Sequence, residues 1–414
     1  MGDDSLSIKE GIVSRTAQKI KYKRDGKTRA IIRLSEPVKV VQSEQDEGWG
    51  YFQFPTIGKT DDGLLLVSWS LQEDTHKSYG KISSTNNSNR RLSRDKGLSW
   101  EFVDRNYEAH FRGYNLTLKD GSVVQELTFP VKDISSFKVF PPPVVNIGSY
   151  SYFFMDQLPP ELQGFHLSLK KGSKTETIHA KLYDPGLLRY SVGNLMPIVW
   201  WGNIKQLANQ SLVAGVYPTI YLDSLGNLLP SAVTFYSSED NLGFWKVLGK
   251  IPFLNDGIAY VRGDRRFDEP AFEILKDSTF ICVLRTGSVS PLYKSFSFNR
   301  GKTWTTPKPF TPNGVMPKLM HLQNGVMVLI SGRPGIQIRF SFDGLGQKWS
   351  TPIDMISFMN NDGSYNRDVS CGYASFIEAT DNSFYIVYSD FTTKDAFGHK
   401  RKSIWFRKVT VTRR

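Results

Sequence analysis

The octapeptide SRDKGLSW (Ser93–Trp100) decides the fold, because it returns. SFNRGKTW (Ser297–Trp304) keeps the pattern S-x-D-x-G-x-x-W with Asn299 in the aspartate's place, and SFDGLGQKW (Ser341–Trp349) keeps it with one inserted residue. SEDNLGFW (Ser238–Trp245) is a degenerate copy whose glycine is displaced by one. The chemistry of such a stretch is local. An Asp or Asn side chain bonds backbone N–H groups of its own turn, the glycine takes a positive φ, and the tryptophan folds over the turn. The motif therefore predicts a capped β-hairpin, a structural device rather than a reactive one.

A second repeat is interleaved with the first: a short residue pair, an apolar alternation, a turn, then an apolar strand. Its copies are FQFPTIGKTDDGLLLVSW (Phe52–Trp69), RGYNLTLKDGSVVQEL (Arg112–Leu127), DEPAFEILKDSTFICVLR (Asp268–Arg285), VMPKLMHLQNGVMVLISGR (Val315–Arg333) and GYASFIEATDNSFYIVYSD (Gly372–Asp390). A further copy lies between 190 and 245. Helical periodicity is scarce, and short runs of Val, Ile, Phe, Tyr, Trp and Thr are bounded by Gly, Asn, Asp and Pro. Copies recur at roughly 45–60 residues, the length of one four-stranded propeller blade.

Composition sets the outer bounds. The 414 residues are 40% hydrophobic and 13% aromatic, ample for a large core without disulfides. Cys282 and Cys371 are the two cysteines, too few for a disulfide framework, and read as buried thiols. The net charge of +12 favours anionic partners, but it is scattered, with dense runs only at KIKYKRDGK and KDAFGHKRK. No nucleic-acid fold signature accompanies it. No apolar run approaches the roughly 18 residues of a membrane span. Residues 1–30 show no apolar signal-peptide core. The six histidines lack H-x-H or H-E-x-x-H spacing, and there is no C-x-x-C, EF-hand loop or G-x-G-x-x-G, so neither a metal site nor a required cofactor is expected, although a Ca²⁺ or Zn²⁺ site assembled from distant residues stays open.

The capped turn resembles the Asp-box, or BNR, repeat of sialidases and their relatives, and the order of elements is similar to the six-bladed β-propeller of that superfamily. The resemblance covers about residues 45–410. It implies an all-β chain in which residues 1–40 form an N-terminal strand and approach segment and 41–414 a single propeller domain, interrupted by an irregular insertion at 130–190.

In a propeller the residues that flank the innermost strands of different blades meet around one central cavity. Those residues are Gln53, Glu73, Asp74, His76 and Tyr79 in the first copy, and Arg112 and Tyr114 in the second. Later copies supply Asp268, Glu269 and Arg285, then Arg333, then Tyr365, Asn366, Arg367, Asp368, Tyr373 and Asp390. Arginine, carboxylate and tyrosine recur where a solvated rim would carry Lys, Ser, Thr and Asn.

Sialidases are the glycosidases that use a tyrosine nucleophile. A phenol with pKa near 10 needs a neighbouring carboxylate to take its proton. The resemblance places Glu269 as that base, Tyr373 of GYASFIE as the nucleophile, and Asp74 as the acid. It makes Arg285 and Arg333, the latter in preference to Arg339, the anchors of a substrate carboxylate. Arg112, Gln53, His76 and Tyr79 complete the expected substrate-binding set. The family's first arginine, in F/Y-R-I-P, is replaced here by Gln53 of FQFP, and the carboxylate that steadies it, in a YE, is replaced by YSD with Asp390 one residue later.

The expected function is thus a sialidase-like glycoside hydrolase acting on a terminal acidic or sialic acid-like sugar, with an anionic glycan as partner. Two other classes stand beside it. One is a propeller-type polysaccharide lyase on a uronic-acid polymer, using His76 and Tyr79 of DTHKSYG. The other is a glycan-binding propeller without turnover. A glycan role favours a secreted or periplasmic setting. Sugar, linkage and oligomeric state are not legible in the sequence.

Overall fold

The computed structural model describes residues 12–24, 27–60, 62–75, 89–104, 116–126, 131–196, 203–239, 242–254, 256–257, 266–288, 290–380 and 382–413. The chain is all-β, and a four-stranded antiparallel meander recurs along it. Meander A comprises Tyr51–Lys59, Leu65–Leu71, Arg90–Ser93 and Glu101–Phe102. Meander B comprises Leu116–Thr117, Val123–Glu126, Phe165–Lys171 and Lys174–Tyr183, and meander C Ile204–Gln206, Leu212–Thr219, Ala232–Ser238 and Phe244–Ile251. The outer strands of B and C pair in parallel, so that the two form one eight-stranded sheet. Meander D comprises Asp268–Ile274, Phe280–Arg285, Tyr293–Ser297 and Lys308–Pro309, and meander E Val315–His321, Met327–Gly332, Ile336–Ser341 and Ile353–Asp354. The last, F, has Ala374–Glu378, Ser383–Lys394 and Lys400–Arg413, and the N-terminal strands Lys27–Leu34 and Val38–Gln42 both pair with Lys400–Arg413. The two ends of the chain are thereby joined in one sheet.

The cores lie between successive meanders. Phe165 and Leu167 of B meet Tyr236 and Trp245 of C. Phe235 of C meets Phe272 and Phe280 of D, and Ile281 of D meets Leu329 of E. Phe340 of E meets Phe384 of F, while Val387 and Phe406 of F meet Ile57 and Val67 of A. Sheets packed face to face in sequence order around a centre make a propeller-like arrangement.

The capped turns sit between the third and fourth strands of A, C, D and E. In D, Asn299 Oδ1 accepts from Thr303 N at 2.8 Å, Ser297 Oγ accepts from Gly301 N at 2.8 Å, and Trp304 Nε1 donates to Gly301 O at 3.0 Å. Asp95 and Ser93 repeat these contacts in A, and Ser341 and Trp349 in E. Gly97, Gly301 and Gly346 have φ of 94°, 87° and 67°. In the degenerate copy Leu242 takes that conformation, with φ 78°. Each tryptophan then packs on an aromatic ring of the preceding sheet. Trp304 lies on Phe235 at 4.3 Å, Trp349 near Phe310 at 6.2 Å, Trp245 near Phe165 at 6.4 Å and Trp100 near Phe406 at 5.3 Å. The motif staples neighbouring sheets, each aromatic pair adding about 0.5–1.5 kcal/mol beyond burial.

The stretch expected as an irregular insertion divides in two. Phe165–Lys171 and Lys174–Tyr183 belong to meander B, whereas Lys132–Asp133, Val145–Ile147, Tyr150–Phe154, Leu188–Val192 and Leu195–Met196 form a separate five-stranded sheet. That sheet has its own small core of Phe153, Leu158, Leu162 and Met196.

Among the described residues no helix is long and apolar enough to cross a membrane.

Candidate active site

The inner strands of A, D and E begin alike. Phe54, Glu269 and Met316 have φ of 51°, 46° and 45°, each is followed by a proline, and the pairing register slips at that point. Proline cannot donate to the ladder, so the strand bulges there. A left-handed, non-glycine residue before proline is strained, and such strain concentrates where a side chain must be aimed. The bulge frees Glu269 from the sheet. Its Oε2 accepts the N–H of Met316, the equivalent residue of the next meander, at 2.6 Å.

Its other oxygen organises the site. Arg285, which ends the second strand of D, donates from Nη1 to Glu269 Oε1 at 2.6 Å and to Tyr373 OH at 3.1 Å. Tyr373, at the start of meander F, donates its hydroxyl to the same Glu269 oxygen. Arg285 Nε donates to Gly287 O at 3.2 Å, which fixes the guanidinium plane. The side chains of Arg285 and Glu269 are 12% and 6% exposed, so this is a buried ion pair. Burial alone would lower the Arg285 pKa, but Glu269, Tyr373 and Asp268 outweigh it and the net shift is upward. Burial, and then the Glu269 carboxylate, holds the Tyr373 pKa well above the phenol range, with Arg285 and Arg333 opposing.

Arg333 stands beside this cluster. Its pKa is lowered, first by burial and then by the neighbouring charge of Arg285. Its guanidinium makes no hydrogen bond or ion pair with any described residue. Two glycines allow the approach: a Cβ on Gly332 would overlap the carbonyl oxygen of Gly372, and a Cβ on Gly372 would lie 2.8 Å from Arg333 Cγ. Arg339, by contrast, is buried within its sheet and donates to Gln337 Oε1 at 2.8 Å.

Other expected residues lie elsewhere. Gln53 is 0% exposed. With its amide turned to satisfy its neighbours, its oxygen accepts from Lys402 Nζ at 3.3 Å and from Gly50 N at 3.2 Å. It presents no surface to a ligand in this conformation. Asp74 is exposed and accepts from the Trp49 indole at 2.9 Å, with no hydrogen bond or ion pair to the Glu269 cluster. Asp390 accepts from Thr392 N at 2.6 Å and steadies no arginine of the site. Asp268 pairs with Arg266 at 2.8 Å, and Arg367 with the Tyr365 hydroxyl at 2.6 Å. His76, Tyr79, Arg112 and Tyr114 lie outside the described residues.

Two neighbours escaped the sequence reading. Tyr217 lies near the end of the second strand of C, as Arg285 does in D. Its pKa is pushed well up, by burial first and then by the charges of Glu269, Tyr373 and Asp268. Its signal was available, because YPT closes an apolar strand as GRPG follows one in meander E. Lys402 reaches Gln53 from a strand nearly the whole chain away, and no local pattern announces it. Among the described residues no group of three or more His, Cys, Asp or Glu side chains could hold a metal ion.

No family model matches the chain, and no curated protein matches it. Among solved structures it is similar to a protein of unknown function from Dyadobacter fermentans, with TM-score 0.60 and 15% identity over 92% of this chain and 99% of that one. A Hadza microbial sialidase, Hz136, aligns over 92% of this chain and 68% of its own, with TM-score 0.48 and 13% identity. A β-1,3-galactosidase of family GH43 aligns over 68% and 60%, with TM-score 0.34 and 11% identity. The first of these shows a shared fold and, at that identity, nothing of activity.

Proposed function

We propose that the chain is a six-bladed, sialidase-like propeller and a carbohydrate-active enzyme: a retaining glycosidase that removes a terminal sugar bearing an acid group. The observation that carries this reading is the convergence of Glu269, Arg285 and Tyr373, from meanders D and F, in one hydrogen-bonded cluster beside Arg333, whose guanidinium bonds no described residue.

In this mechanism Arg333 and Nη2 of Arg285, which bonds no described residue, hold the substrate carboxylate. Tyr373 Oη attacks the anomeric carbon while its proton passes to Glu269 Oε1, to which it is already hydrogen-bonded. The glycosidic C–O bond breaks and the leaving oxygen takes a proton from Asp74, whose carboxyl is open to solvent next to Trp49. Water then attacks the anomeric carbon, gives its proton back to Asp74, and the tyrosine oxygen recovers its proton from Glu269. A neutral phenol suits a substrate whose carboxylate would repel a carboxylate nucleophile. The raised Tyr373 pKa keeps that phenol protonated until substrate arrives.

The test is Tyr373→Phe against a panel of aryl glycosides of sialic and uronic acids. Release of aryl alcohol by the wild type and its loss in the variant is the expected result; full turnover by the variant refutes the role. An unsaturated, ultraviolet-absorbing product would indicate a lyase instead. Glycan binding without turnover would indicate a binding propeller.

A further inference from the structure

Three inner strands carry the same left-handed bulge, and two of the three serve Glu269. In D the bulge aims the carboxylate itself; in E it turns the Met316 N–H onto that carboxylate at 2.6 Å. The third, in A, presents Phe54, a half-buried residue with φ 51° before Pro55. A glycine would take this conformation freely, whereas a phenylalanine takes it under strain. The Phe54 ring lies against Tyr373. Their centroids are 5.1 Å apart and their planes meet at 87°, the edge-to-face geometry that aromatic quadrupoles favour.

The bulge is braced on both sides. Phe52, also left-handed at φ 53°, stacks on Trp69 at 6.1 Å, and the pairing register slips on either side of Gln53. Beyond Pro55, the Ile57 N–H donates to Ser375 Oγ at 3.4 Å, which ties the inner strand of A to that of F two residues past Tyr373. The Phe54 ring is thus delivered from one meander onto a side chain of another.

Hydrogen bonds alone leave the phenol underdetermined. Glu269 and Arg285 hold Tyr373 at its hydroxyl tip, and a ring held only at its tip still tilts. An edge-to-face neighbour removes that tilt. We infer that Phe54 is a positioning residue, whose ring clamps the Tyr373 phenol so that its oxygen stays on Glu269 Oε1 and faces the anomeric carbon of a bound sugar; this rests on the reading above. The strain at residue 54 then has the same use as the strain at residue 269, since each bulge aims one side chain at the reacting group. Burial is the first cause of the raised Tyr373 pKa, and Phe54 contributes to that burial.

The experiment compares wild type with Phe54→Leu, which keeps apolar volume without the ring, and with Phe54→Tyr, which keeps the ring. On aryl glycosides Phe54→Leu should lower kcat about tenfold with KM within about twofold, while Phe54→Tyr keeps most of kcat. An unchanged kcat in Phe54→Leu overturns the proposal. So does a loss confined to KM, which would mark a substrate contact, and so does a loss in Phe54→Tyr equal to that in Phe54→Leu. If the wild type turns over no aryl glycoside, or Tyr373→Phe keeps full turnover, the catalytic reading fails by itself. Phenolate absorbance on raising the pH then judges the clamp, each protein being read against the same protein carrying Tyr373→Phe. Phe54→Leu should let Tyr373 ionise about one pH unit lower than in wild type or Phe54→Tyr, because the phenol leaves its cover and the Glu269 carboxylate. A shared midpoint, or no ionisation of Tyr373 in any of the three before unfolding, overturns it.

Discussion

Replacing Glu269 by glutamine removes one negative charge and almost no volume, so its cost isolates the electrostatics of the site. Glu269 accepts from three donors: Arg285 Nη1, Tyr373 OH and Met316 N–H. An amide has one oxygen, so in either orientation its NH₂ faces a donor. The larger loss is the charge. With both side chains at most 12% exposed, charge centres about 4 Å apart attract by about 4 kcal/mol at an effective dielectric near 20. The variant leaves Arg285 buried, unpaired and beside Arg333. We expect a destabilisation of about 3–5 kcal/mol, measured by urea unfolding with linear extrapolation. Glu269→Gln combined with Arg285→Met should cost less than the sum of the two single variants, with an interaction energy of about 1–3 kcal/mol. A loss below about 1 kcal/mol in the single variant, or additivity in the cycle, would refute the description of Glu269 and Arg285 as a buried, mutually dependent pair.

Gly332→Ala places a methyl against the Gly372 carbonyl, so the inner ends of E and F must part; we expect a loss of about 1–3 kcal/mol in urea and a fall in turnover out of proportion to it, because Arg333 moves from Tyr373. The His166 pKa is lowered to about 4, by burial first and then by stacked His179 and by Arg189. The unfolded chain then binds the extra proton between about pH 6.5 and 4, so this histidine's contribution to stability is present above that window and is lost as pH falls through it. The stability difference between wild type and His166→Gln should change with pH there and be flat above pH 7. Cys282 and Cys371 are both 0% exposed, with pKa values raised by burial, so a thiol reagent should label neither in the native protein and both after unfolding.

Legibility in the sequence followed the range of the interaction. The capped turns were readable because Asn299 bonds Thr303, four residues on, and such contacts recur with the motif wherever it stands. Glu269 and Arg285 were readable as a pair because they face each other across one hairpin, sixteen residues apart. Tyr373 is drawn to them across 104 residues, and it was the family resemblance of GYASFIE, not any contact near it in sequence, that suggested it. The partner of Gln53, Lys402, belongs to the sheet that closes the chain, and no pattern near residue 53 encodes whether an amide faces a cavity or the ammonium of so distant a strand. Asp74 follows the second strand of meander A, and its hydrogen bond to Trp49, twenty-five residues away, is one that spacing does not announce.

By itself, then, the sequence determined the all-β character, the repeating meander and the residue types at strand ends, because these arise from alternation, turns and spacing within a few residues. Tertiary structure alone decided which of those ends meet. It set the left-handed bulge that aims Glu269 and the glycine contact that brings Arg333 to Tyr373. It also divided the inserted stretch, giving Phe165–Lys171 and Lys174–Tyr183 to meander B and the rest to a separate sheet with its own small core. Each depends on how sheets far apart in the chain pack around a common centre, and that packing is written in no single stretch of it.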